Sequence, residues 1–204
     1  MIEVVLFDLG GVLIELGGMP TMRSWTRLSD DEIWQRWLAS SHVRAFESGR
    51  SDHDSFASAV VEEFDLSASP QEFLDHFTDW PTGIFDGGLE LLESLRSSHH
   101  VACLSNTNHL HWERFKTEMP LIDKFHTPLA SHLTGHMKPD IAAFEHALDA
   151  LGYPASAVLF FDDNQINVDA AREVGMHAEL TRGVAHAKQH LTTRGILTDH
   201  KSHA

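Results

Sequence analysis

The sequence predicts an α/β fold in which a doubly wound parallel sheet carries an inserted helical module. Four apolar, strand-like runs are each followed by a polar turn and a stretch of helical periodicity, the alternation typical of a parallel sheet covered by helices on both faces. About ninety residues of purely helical pattern separate the first two runs, far more than a single crossover helix needs. At 204 residues, the chain has room for one substantial core and a small inserted domain.

The predicted strands are short runs rich in β-branched and aromatic residues. They are Glu3–Phe7, His100–Leu104, Val158–Phe161 and Met176–Leu180, with a weaker fifth run at Phe125–Ala130. A run that is apolar throughout indicates a strand buried on both faces of the sheet. Because crossovers between parallel strands are right-handed, we expect the carboxyl ends of all these strands to meet at one edge.

Three helices of the core are indicated by their spacing and by the residues at their ends. Pro139 suits a first helical turn, apolar residues then follow three and four apart, and Gly152 supplies the stop. A second helix is predicted over 165–174, with Gly175 ending it. A third, over about 86–95, returns the chain to the core after the inserted module.

The inserted module is predicted to be a small bundle of helices. Two capping boxes, Ser29 to Glu32 and Ser69 to Glu72, mark the starts of two helices, and a middle helix spans about 52–64. The predicted boundaries are 1–15 and 83–204 for the core and 16–82 for the module. Glycine-bearing connections at 17–18 and 81–83 would let the module hinge over the carboxyl edge of the sheet.

Composition and charge exclude several classes of function. The formal net charge is −15 and no run is rich in Lys or Arg, which argues against binding to nucleic acid. No segment approaches the roughly 18 uninterrupted apolar residues of a membrane span, and no basic leader precedes the first strand. We therefore expect a cytoplasmic protein with neither a nucleic acid nor a membrane as its partner.

Cysteine and histidine give no sign of a disulfide or a zinc site. The single cysteine, Cys103, lies in an apolar run, which favours a buried packing role. The sixteen histidines scatter without metal-ligand spacing and are interpreted as solvated surface groups. They are densest in the polar tail from His186 to His203, and residues 192–204 show so little periodicity that we assign no chemistry to them.

Polar side chains stand at four junctions of the predicted active edge. They are Asp8, Ser105-Asn106, Lys138 and Asp162-Asp163-Asn164. Adjacent carboxylates at the end of a buried strand repel each other and are costly to desolvate, which indicates a bound cation; Mg²⁺ fits because it prefers oxygen ligands and accepts a substrate phosphate. A lysine then serves as counter-charge, and a serine hydroxyl with nearby backbone N–H groups forms an anion cradle. Together they predict a phosphoryl-transfer site.

Four motifs, in this order, resemble those of the haloacid dehalogenase-like (HAD) hydrolase superfamily. They are Phe-Asp-Leu-Gly-Gly-Val-Leu at 7–13, Leu-Ser-Asn-Thr-Asn at 104–108, Lys-Pro-Asp at 138–140 and Phe-Phe-Asp-Asp-Asn-Gln-Ile-Asn at 160–167. The resemblance covers essentially the whole chain and is closest to the sugar-1-phosphate phosphatase branch, with the N-terminal phosphatase domain of soluble epoxide hydrolase also similar. It implies a Rossmann-like core, a helical cap inserted after the first strand, and Mg²⁺ as cofactor.

The resemblance also implies a nucleophile and a set of metal ligands. Asp8 would take up the phosphoryl group as an aspartyl phosphate, which water then cleaves. Asp163 and the backbone carbonyl of Gly10 would bind Mg²⁺ beside Asp8. Asp162 would bind the ion through water or orient its ligands, and Asn167 would help to orient them.

The same resemblance implies how the substrate is held. Ser105 and the backbone of Asn106 would bind phosphoryl oxygens, and Lys138 would offset the negative charge between the phosphate and Asp8. The expected partner is therefore a small phosphorylated molecule.

Position 10 departs from the pattern of the superfamily. Most of its phosphatases carry a second aspartate two residues after the nucleophile, which acts as general acid and base, and this chain has Gly10 there. Losing such a group costs about 10²–10⁴-fold in rate. An easy leaving group such as an anomeric sugar oxygen could tolerate the loss, or a metal-ordered water or a cap residue such as His42, Glu47 or His53 could move the proton. Lost activity is the remaining option.

Three functions follow from these observations. The leading one is a Mg²⁺-dependent phosphatase of a small phosphorylated metabolite, with a sugar phosphate as the suggested substrate. The second is a metal-free 2-haloacid dehalogenase, since that branch also lacks the second aspartate, but the adjacent Asp162 and Asp163 speak against it. The third is a catalytically weak or inactive binding protein, against which the joint presence of Asp8, Ser105 and Lys138 argues.

Overall fold

The computed structural model describes residues 1–197, which form a five-stranded parallel sheet with helices on both faces and a separate pair of strands. This arrangement confirms the predicted α/β fold class. The strands are β1 (Val4–Phe7), β2 (Ile14–Leu16), β3 (Pro81–Ile84), β4 (His100–Ser105), β5 (Thr127–Ala130), β6 (Val158–Asp162) and β7 (His177–Leu180). The helices are α1 (Met19–Ser24), α2 (Asp30–Ala39), α3 (Ser41–Glu47), α4 (His53–Glu63), α5 (Pro70–Thr78), α6 (Gly88–Arg96), α7 (His109–Thr117), α8 (Ser131–Thr134), α9 (Ile141–Leu151), α10 (Gln165–Glu173) and α11 (Gly183–Thr193).

Strand β1 lies at the centre of the sheet, whose order is β5-β4-β1-β6-β7 with every pair parallel. Because β1 is paired along both edges and covered on both faces, all four of its residues are buried. Val5 and Phe7 belong to the apolar cluster on one side of the sheet, and Val4 and Leu6 belong to the cluster on the other side. The residue after β1, Asp8, therefore emerges at the middle of the carboxyl edge.

The two apolar clusters account for the helical layers. On one face, Leu91 of α6, Trp112 of α7 and Ala187 of α11 pack against β1. On the other face, Phe144 of α9 and Val168 of α10 do the same. The predicted core helices over 86–95 and 165–174 are confirmed to within about two residues, the usual scatter of helix ends.

The helix predicted to start at Pro139 starts two residues later. Helix α9 begins at Ile141, and Pro139 lies in the turn before it, joined to Lys138 by a cis peptide bond. The intervening Asp140 has an extended ψ of 131°, so the helical conformation cannot begin before it. Gly152 ends the helix in a left-handed conformation, as predicted.

A two-stranded antiparallel sheet connects the inserted module to the core, a feature that periodicity did not reveal. Leu16 of β2 pairs with Pro81 of β3, and the Gly17 N–H donates to the carbonyl of Trp80 at 2.8 Å. The predicted connection at 81–83 is therefore part of a strand and not a free linker. Both predicted boundaries fall within this pair of strands, and the division into core and cap, with its hinge, stays a prediction.

The helices between β2 and β3 share an apolar cluster of their own. Its centre is aromatic: the rings of Phe46 and Phe56 stack with centroids 4.1 Å apart, and Phe77 lies 5.0 Å from Phe56. Trp37 packs on Phe77 at 5.8 Å. Such contacts contribute beyond simple burial, so the module carries its own stabilising core.

Sequence signals identified the long helices of the module and missed the short ones. Both predicted capping boxes are confirmed, with Ser29 bonded to Glu32 and Ser69 bonded to Glu72 in both directions. Helices α1 and α3 have six and seven residues, fewer than the two full turns over which a helical repeat becomes visible.

The remaining sequence predictions concern cysteine, membrane spans and the tail. Cys103 is fully buried in β4, and burial raises the pKa of its thiol to about 12, which agrees with a packing role.

Within residues 1–197, no helix combines the length and the apolar character that crossing a bilayer requires. The first part of the histidine-rich tail forms the end of α11, and residues 198–204 lie outside the described part of the chain.

His111 of α7 joins the module to the core. Its Nε2 lies 2.7 Å from the carbonyl of Phe77, to which it donates, and its Nδ1 lies 3.1 Å from the side-chain amide of Asn108, from which it accepts. Burial lowers the pKa of His111 from 6.5 to about 4, so the ring is neutral at physiological pH.

Acidification is expected to weaken the fold through His111. The contribution of the neutral ring is complete above pH 6.5, its unfolded pKa, and is lost as the pH falls to about 4, a change on the order of 3 kcal/mol. Urea unfolding at pH 7, 5 and 4 should show a shallower loss of stability in His111→Gln than in the wild type. The exposed His42→Gln is the control, and equal pH slopes in wild type and His111→Gln would contradict the assignment.

Candidate active site

Three neighbouring strands deliver polar side chains to the same edge of the sheet. Asp8 follows β1, Ser105 ends β4 and Asp162 ends β6, and β1 pairs with both of the other strands. Lys138 reaches this place from the loop before α9. The structure thus brings together the four junctions that the sequence singled out.

Lys138 is held between two carboxylates. Its Nζ lies 2.8 Å from Oδ1 of Asp8 and 2.6 Å from Oδ2 of Asp162, and only 1% of its side chain is exposed. Burial disfavours the ammonium charge, but the negative charges of Asp162 and Asp8 outweigh burial and raise the pKa of Lys138. The lysine is therefore a permanent, fixed cation beside Asp8.

Asp162 serves mainly to hold its neighbours in place. It is fully buried, its Oδ2 accepts from Lys138, and its Oδ1 accepts from the backbone N–H of Asn164 and from the side-chain amide of Asn167, both at 2.9 Å. Both carboxyl oxygens are thus occupied by donors. Of the two roles left open for Asp162 by the sequence, this geometry favours the orienting one, and it places Asn167 in contact with Asp162.

Three carboxyl groups crowd the site. Ligand oxygens of Asp8, Asp162 and Asp163 lie within 4.8 Å of one another, the one such group of acidic, histidine or cysteine side chains among residues 1–197. Burial raises the pKa of Asp8 against the pull of Lys138, and burial together with the charge of Asp162 raises the pKa of Asp163 to about 6. One ammonium cannot neutralise three carboxylates, so the donor set fits a hard divalent cation that prefers oxygen ligands.

Gly11 is required by the geometry of the turn after β1. Its φ is +71°, a conformation that L side chains rarely adopt, and a Cβ there would lie 2.2 Å from Oδ2 of Asp163. Its carbonyl accepts from the N–H of Gly183 at 2.8 Å, which ties the turn to the loop after β7. Glycine at position 11 therefore lets Asp163 approach Asp8.

Gly10 has no comparable steric requirement. Its φ lies outside the left-handed region, and a Cβ would meet first the Cδ1 of Leu16, at 3.2 Å. Leu16 is 54% exposed and its side chain can move by the few tenths of an ångström needed. Position 10 thus accommodates a Cβ once Leu16 moves slightly, and the backbone does not explain why it is glycine.

The side-chain amide of Asn106 links the loop after β4 to the loop that carries Lys138. Asn106 Nδ2 donates to the carbonyl of Lys138 at 2.8 Å, and Asn106 Oδ1 accepts from the N–H of Lys138 at 2.9 Å. The sequence assigned only the backbone of Asn106 to the site, so this pairing is an addition. Ser105, 3% exposed, precedes it directly at the end of β4.

The loop after β7 also supports the site, although the sequence assigned it no role. The Thr181 N–H donates to the Asp162 carbonyl at 2.9 Å, and the charge of Arg182 opposes the rise in the pKa of Asp163. These residues follow a predicted strand of the same sheet edge. The signal was therefore present in the sequence, because Thr181 and Arg182 are polar residues directly after the predicted strand Met176–Leu180.

Comparisons with known proteins agree with this geometry. A family model described as haloacid dehalogenase-like hydrolase matches residues 2–175. The chain is 25% identical to D-ribitol-5-phosphate phosphatase of Bacteroides thetaiotaomicron, over 94% of this chain and 98% of that protein, and 28% identical to a phosphatase of Mycobacterium tuberculosis, over 88% and 87%. A HAD family enzyme of B. thetaiotaomicron, solved in complex with magnesium and inorganic phosphate, superposes with a TM-score of 0.71 at 25% identity, covering 88% of this chain and 93% of that one.

Removing the lysine should destabilise the protein strongly. Lys138→Met would leave Asp8 and Asp162 buried without a counter-charge, and breaking a buried pair in this way costs about 3–5 kcal/mol. Lys116→Met, which removes an exposed ion pair with Glu113, should cost less than about 1 kcal/mol. Urea unfolding in the presence of a chelator measures both, and similar small losses in the two variants would contradict a buried ion pair at Lys138.

The two adjacent glycines should respond differently to the same substitution. Gly11→Ala should lower the free energy of unfolding by at least about 1–2 kcal/mol, because alanine is strained at φ +71° and clashes with Asp163. Gly10→Ala should stay within about 0.5 kcal/mol of the wild type, since only Leu16 must move. Thermal and urea unfolding of the pair test this, and a larger loss at position 10 than at position 11 would overturn the steric argument.

Proposed function

The chain belongs to the haloacid dehalogenase-like hydrolase family, and from this premise we propose that it is a Mg²⁺-dependent phosphatase of a small phosphorylated metabolite. One observation carries the proposal. A buried lysine, Lys138, joins Asp8 to Asp162, and a third carboxylate, Asp163, stands beside them. That arrangement supplies a nucleophile, a fixed positive charge for a phosphate and oxygen ligands for a metal.

The reaction is proposed to run in two steps through Asp8. A carboxylate oxygen of Asp8 bonds to phosphorus while the bond from phosphorus to the ester oxygen breaks, and the leaving alcohol takes up a proton. Water then attacks phosphorus, the bond to Asp8 breaks, and inorganic phosphate is released with the carboxylate restored. Lys138, 2.8 Å from Asp8, orients the nucleophile and opposes the negative charge that gathers around phosphorus.

The acidic cluster is the proposed Mg²⁺ site. Asp8, Asp163 and the backbone carbonyl of Gly10 would hold the ion, and Asp162 would orient the group through Lys138. When bound, Mg²⁺ neutralises charge on the phosphoryl oxygens and fixes their position. The turn that glycine permits at position 11 keeps Asp163 close enough to take part.

The phosphate is proposed to bind between the loop after β4 and the loop that carries Lys138. Ser105 and the backbone of Asn106 would donate to its oxygens, and Lys138 would supply the positive charge. The side chain of Asn106 bonds to the backbone of Lys138 on both its N–H and its carbonyl, so the two binding elements are held at a fixed spacing. Residues 16–82 would form a cap over this pocket.

The substrate is proposed to be a phosphate monoester of a small molecule, a sugar phosphate or sugar alcohol phosphate being favoured. The names of the relatives support this class, since one of them acts on D-ribitol 5-phosphate. The cluster of three carboxylates weighs against a metal-free dehalogenase, because such a reaction gains nothing from a group of acids that repel one another. Lys138 and Asp8, buried and paired, weigh against a mere binding protein.

Phosphate release from a panel of sugar, alkyl and aryl phosphates tests the proposal. Wild-type protein with Mg²⁺ should release phosphate and lose this activity when the metal is chelated, and Asp8→Asn should reduce turnover by several orders of magnitude because it lacks the nucleophile. Asp169→Asn, the same change of charge at an exposed position of α10, is the control and should behave like the wild type. Unchanged turnover in Asp8→Asn, or chloride release from a haloacid without metal, would overturn the proposal.

A further inference from the structure

We propose that Glu47, at the end of α3 in the inserted module, donates the proton to the leaving oxygen of the phosphate ester and later accepts one from the attacking water. It would act as the general acid and base, the role for which most phosphatases of the superfamily use an aspartate where this chain has Gly10. This inference rests on the proposed phosphatase function. It assigns the general acid and base to a residue of the module, while the nucleophile stays on the sheet.

The end of α3 is attached to the loops that form the site. The carbonyl of Glu47 accepts from the hydroxyl of Ser131 at 2.5 Å, and that hydroxyl accepts from the N–H of Thr107 at 2.9 Å. Thr107 lies two residues after Ser105. One hydroxyl group therefore connects the backbone of Glu47 to the loop proposed to bind the phosphate.

Two further contacts bring the same segment against the core. Gly49 follows α3 with φ +73°, and a Cβ there would lie 2.4 Å from the carbonyl oxygen of His132, so the two backbones touch. Arg44, one turn before Glu47, forms an ion pair with Asp140, two residues after Lys138. The end of α3 is thus fixed to the loops of both Ser105 and Lys138.

The carboxyl group of Glu47 is available to an external partner. It makes no hydrogen bond or ion pair with any other group in residues 1–197, although it is only partly exposed. Burial raises the pKa of Glu47 to about 7, and the charge of Lys138 opposes that rise. A carboxyl with a pKa near 7 is protonated in a substantial fraction of molecules at neutral pH, as a general acid must be.

The structure separates Glu47 from the two histidines that the sequence offered for the same role. His42 is exposed on α3. His53 is half exposed, lies 3.4 Å from a carboxyl oxygen of Asp54, and faces the ring of His109 with centroids 6.0 Å apart. The backbone of Glu47, by contrast, is joined through Ser131 to the loop that follows Ser105.

The proton balance closes over the two steps. In the first, the carboxyl proton of Glu47 moves to the ester oxygen as its bond to phosphorus breaks, which leaves Glu47 ionised and Asp8 phosphorylated. In the second, the Glu47 carboxylate takes a proton from water as the water oxygen bonds to phosphorus and the bond to Asp8 breaks. Both residues return to their starting states.

Leaving-group dependence distinguishes a proton donor from a binding or structural residue. An alkyl phosphate needs protonation of its leaving oxygen, whereas the 4-nitrophenolate of 4-nitrophenyl phosphate leaves readily without it. Glu47→Gln keeps the size and the backbone contact to Ser131, and should lower kcat/KM, which reports the first step alone, about 10²–10⁴-fold for an alkyl phosphate and far less for the aryl ester. The value of kcat also includes the second step, in which Glu47 is the proposed base, and should fall for both esters. Glu62→Gln, at an exposed position of α4, is the matched control and should leave both rates at the wild-type level.

A second variant tests whether the missing side chain at position 10 is what Glu47 replaces. Because a Cβ at position 10 would meet only Leu16, Gly10→Asp in the Glu47→Gln background should restore part of the rate with the alkyl ester. Equal losses of kcat/KM on both ester classes in Glu47→Gln, a kcat unchanged on both, or no loss at all would overturn the role of Glu47, while phosphate release by the wild type leaves the proposed function standing. No release by the wild type from any ester would overturn both.

Discussion

The ammonium group of Lys138, buried between Asp8 and Asp162, is the interaction on which the carboxyl edge of the sheet depends. A buried cation costs much free energy unless anions contact it, and two buried carboxylates cost much unless a cation lies between them. The three groups therefore stabilise one another, and removing any one of them destabilises the other two. Further hydrogen bonds hold two of the three: Asn167 donates to Asp162, and Asn106 pairs with the backbone of Lys138. One charge cluster thereby fixes the loops after β1, β4 and β6 and before α9.

The same cluster sets the electrostatics that a phosphate would meet. With one lysine against three carboxylates, the site has an excess of negative charge and would repel an anionic ester. A divalent cation cancels that excess, so the proposed metal site and the proposed phosphate site depend on each other. Glycine at position 11 allows the third carboxylate into the cluster, whereas glycine at position 10 contributes no fourth one. In the proposed mechanism the acid stands on the module, so its charge stays off the sheet.

The sequence predicted the parts of this fold that rest on local patterns. A buried apolar run ending in Asp8 and two capping boxes, beginning at Ser29 and Ser69, each depend on neighbours within a few positions, and each is found where it was expected. The pairing of β2 with β3 depends on residues far apart in the chain and on segments of three and four residues, too short to carry a clear strand signal of their own. The start of α9 was misplaced because proline suits a turn before a helix as well as its first turn.

The candidate site divides in the same way. Asp8 and Asp162 could be predicted because each is a polar residue at the carboxyl end of an apolar strand. Lys138 could be predicted because it directly precedes a helix at the same edge of the sheet. Local sequence patterns do not predict which way each side chain points. They could not show that the amide of Asn106 pairs with the backbone of Lys138, or that Ser131 joins Glu47 to Thr107. Such contacts appear only once separate loops meet in space.

The pairing of Leu16 with Pro81 has a consequence for how this architecture can vary. The two ends of the inserted module are neighbours in a strand pair, so the chain leaves the core and returns to it at one place. The insertion is therefore attached in the way that a surface loop is. Closing a loop costs little more when the loop is longer, so segments of different length or sequence fit the same attachment point. Neither the register of the five-stranded sheet nor the contact between Asp8 and Lys138 involves a residue of the insertion. The nucleophile candidate and its counter-charge can therefore stay unchanged while the residues that the insertion contributes vary.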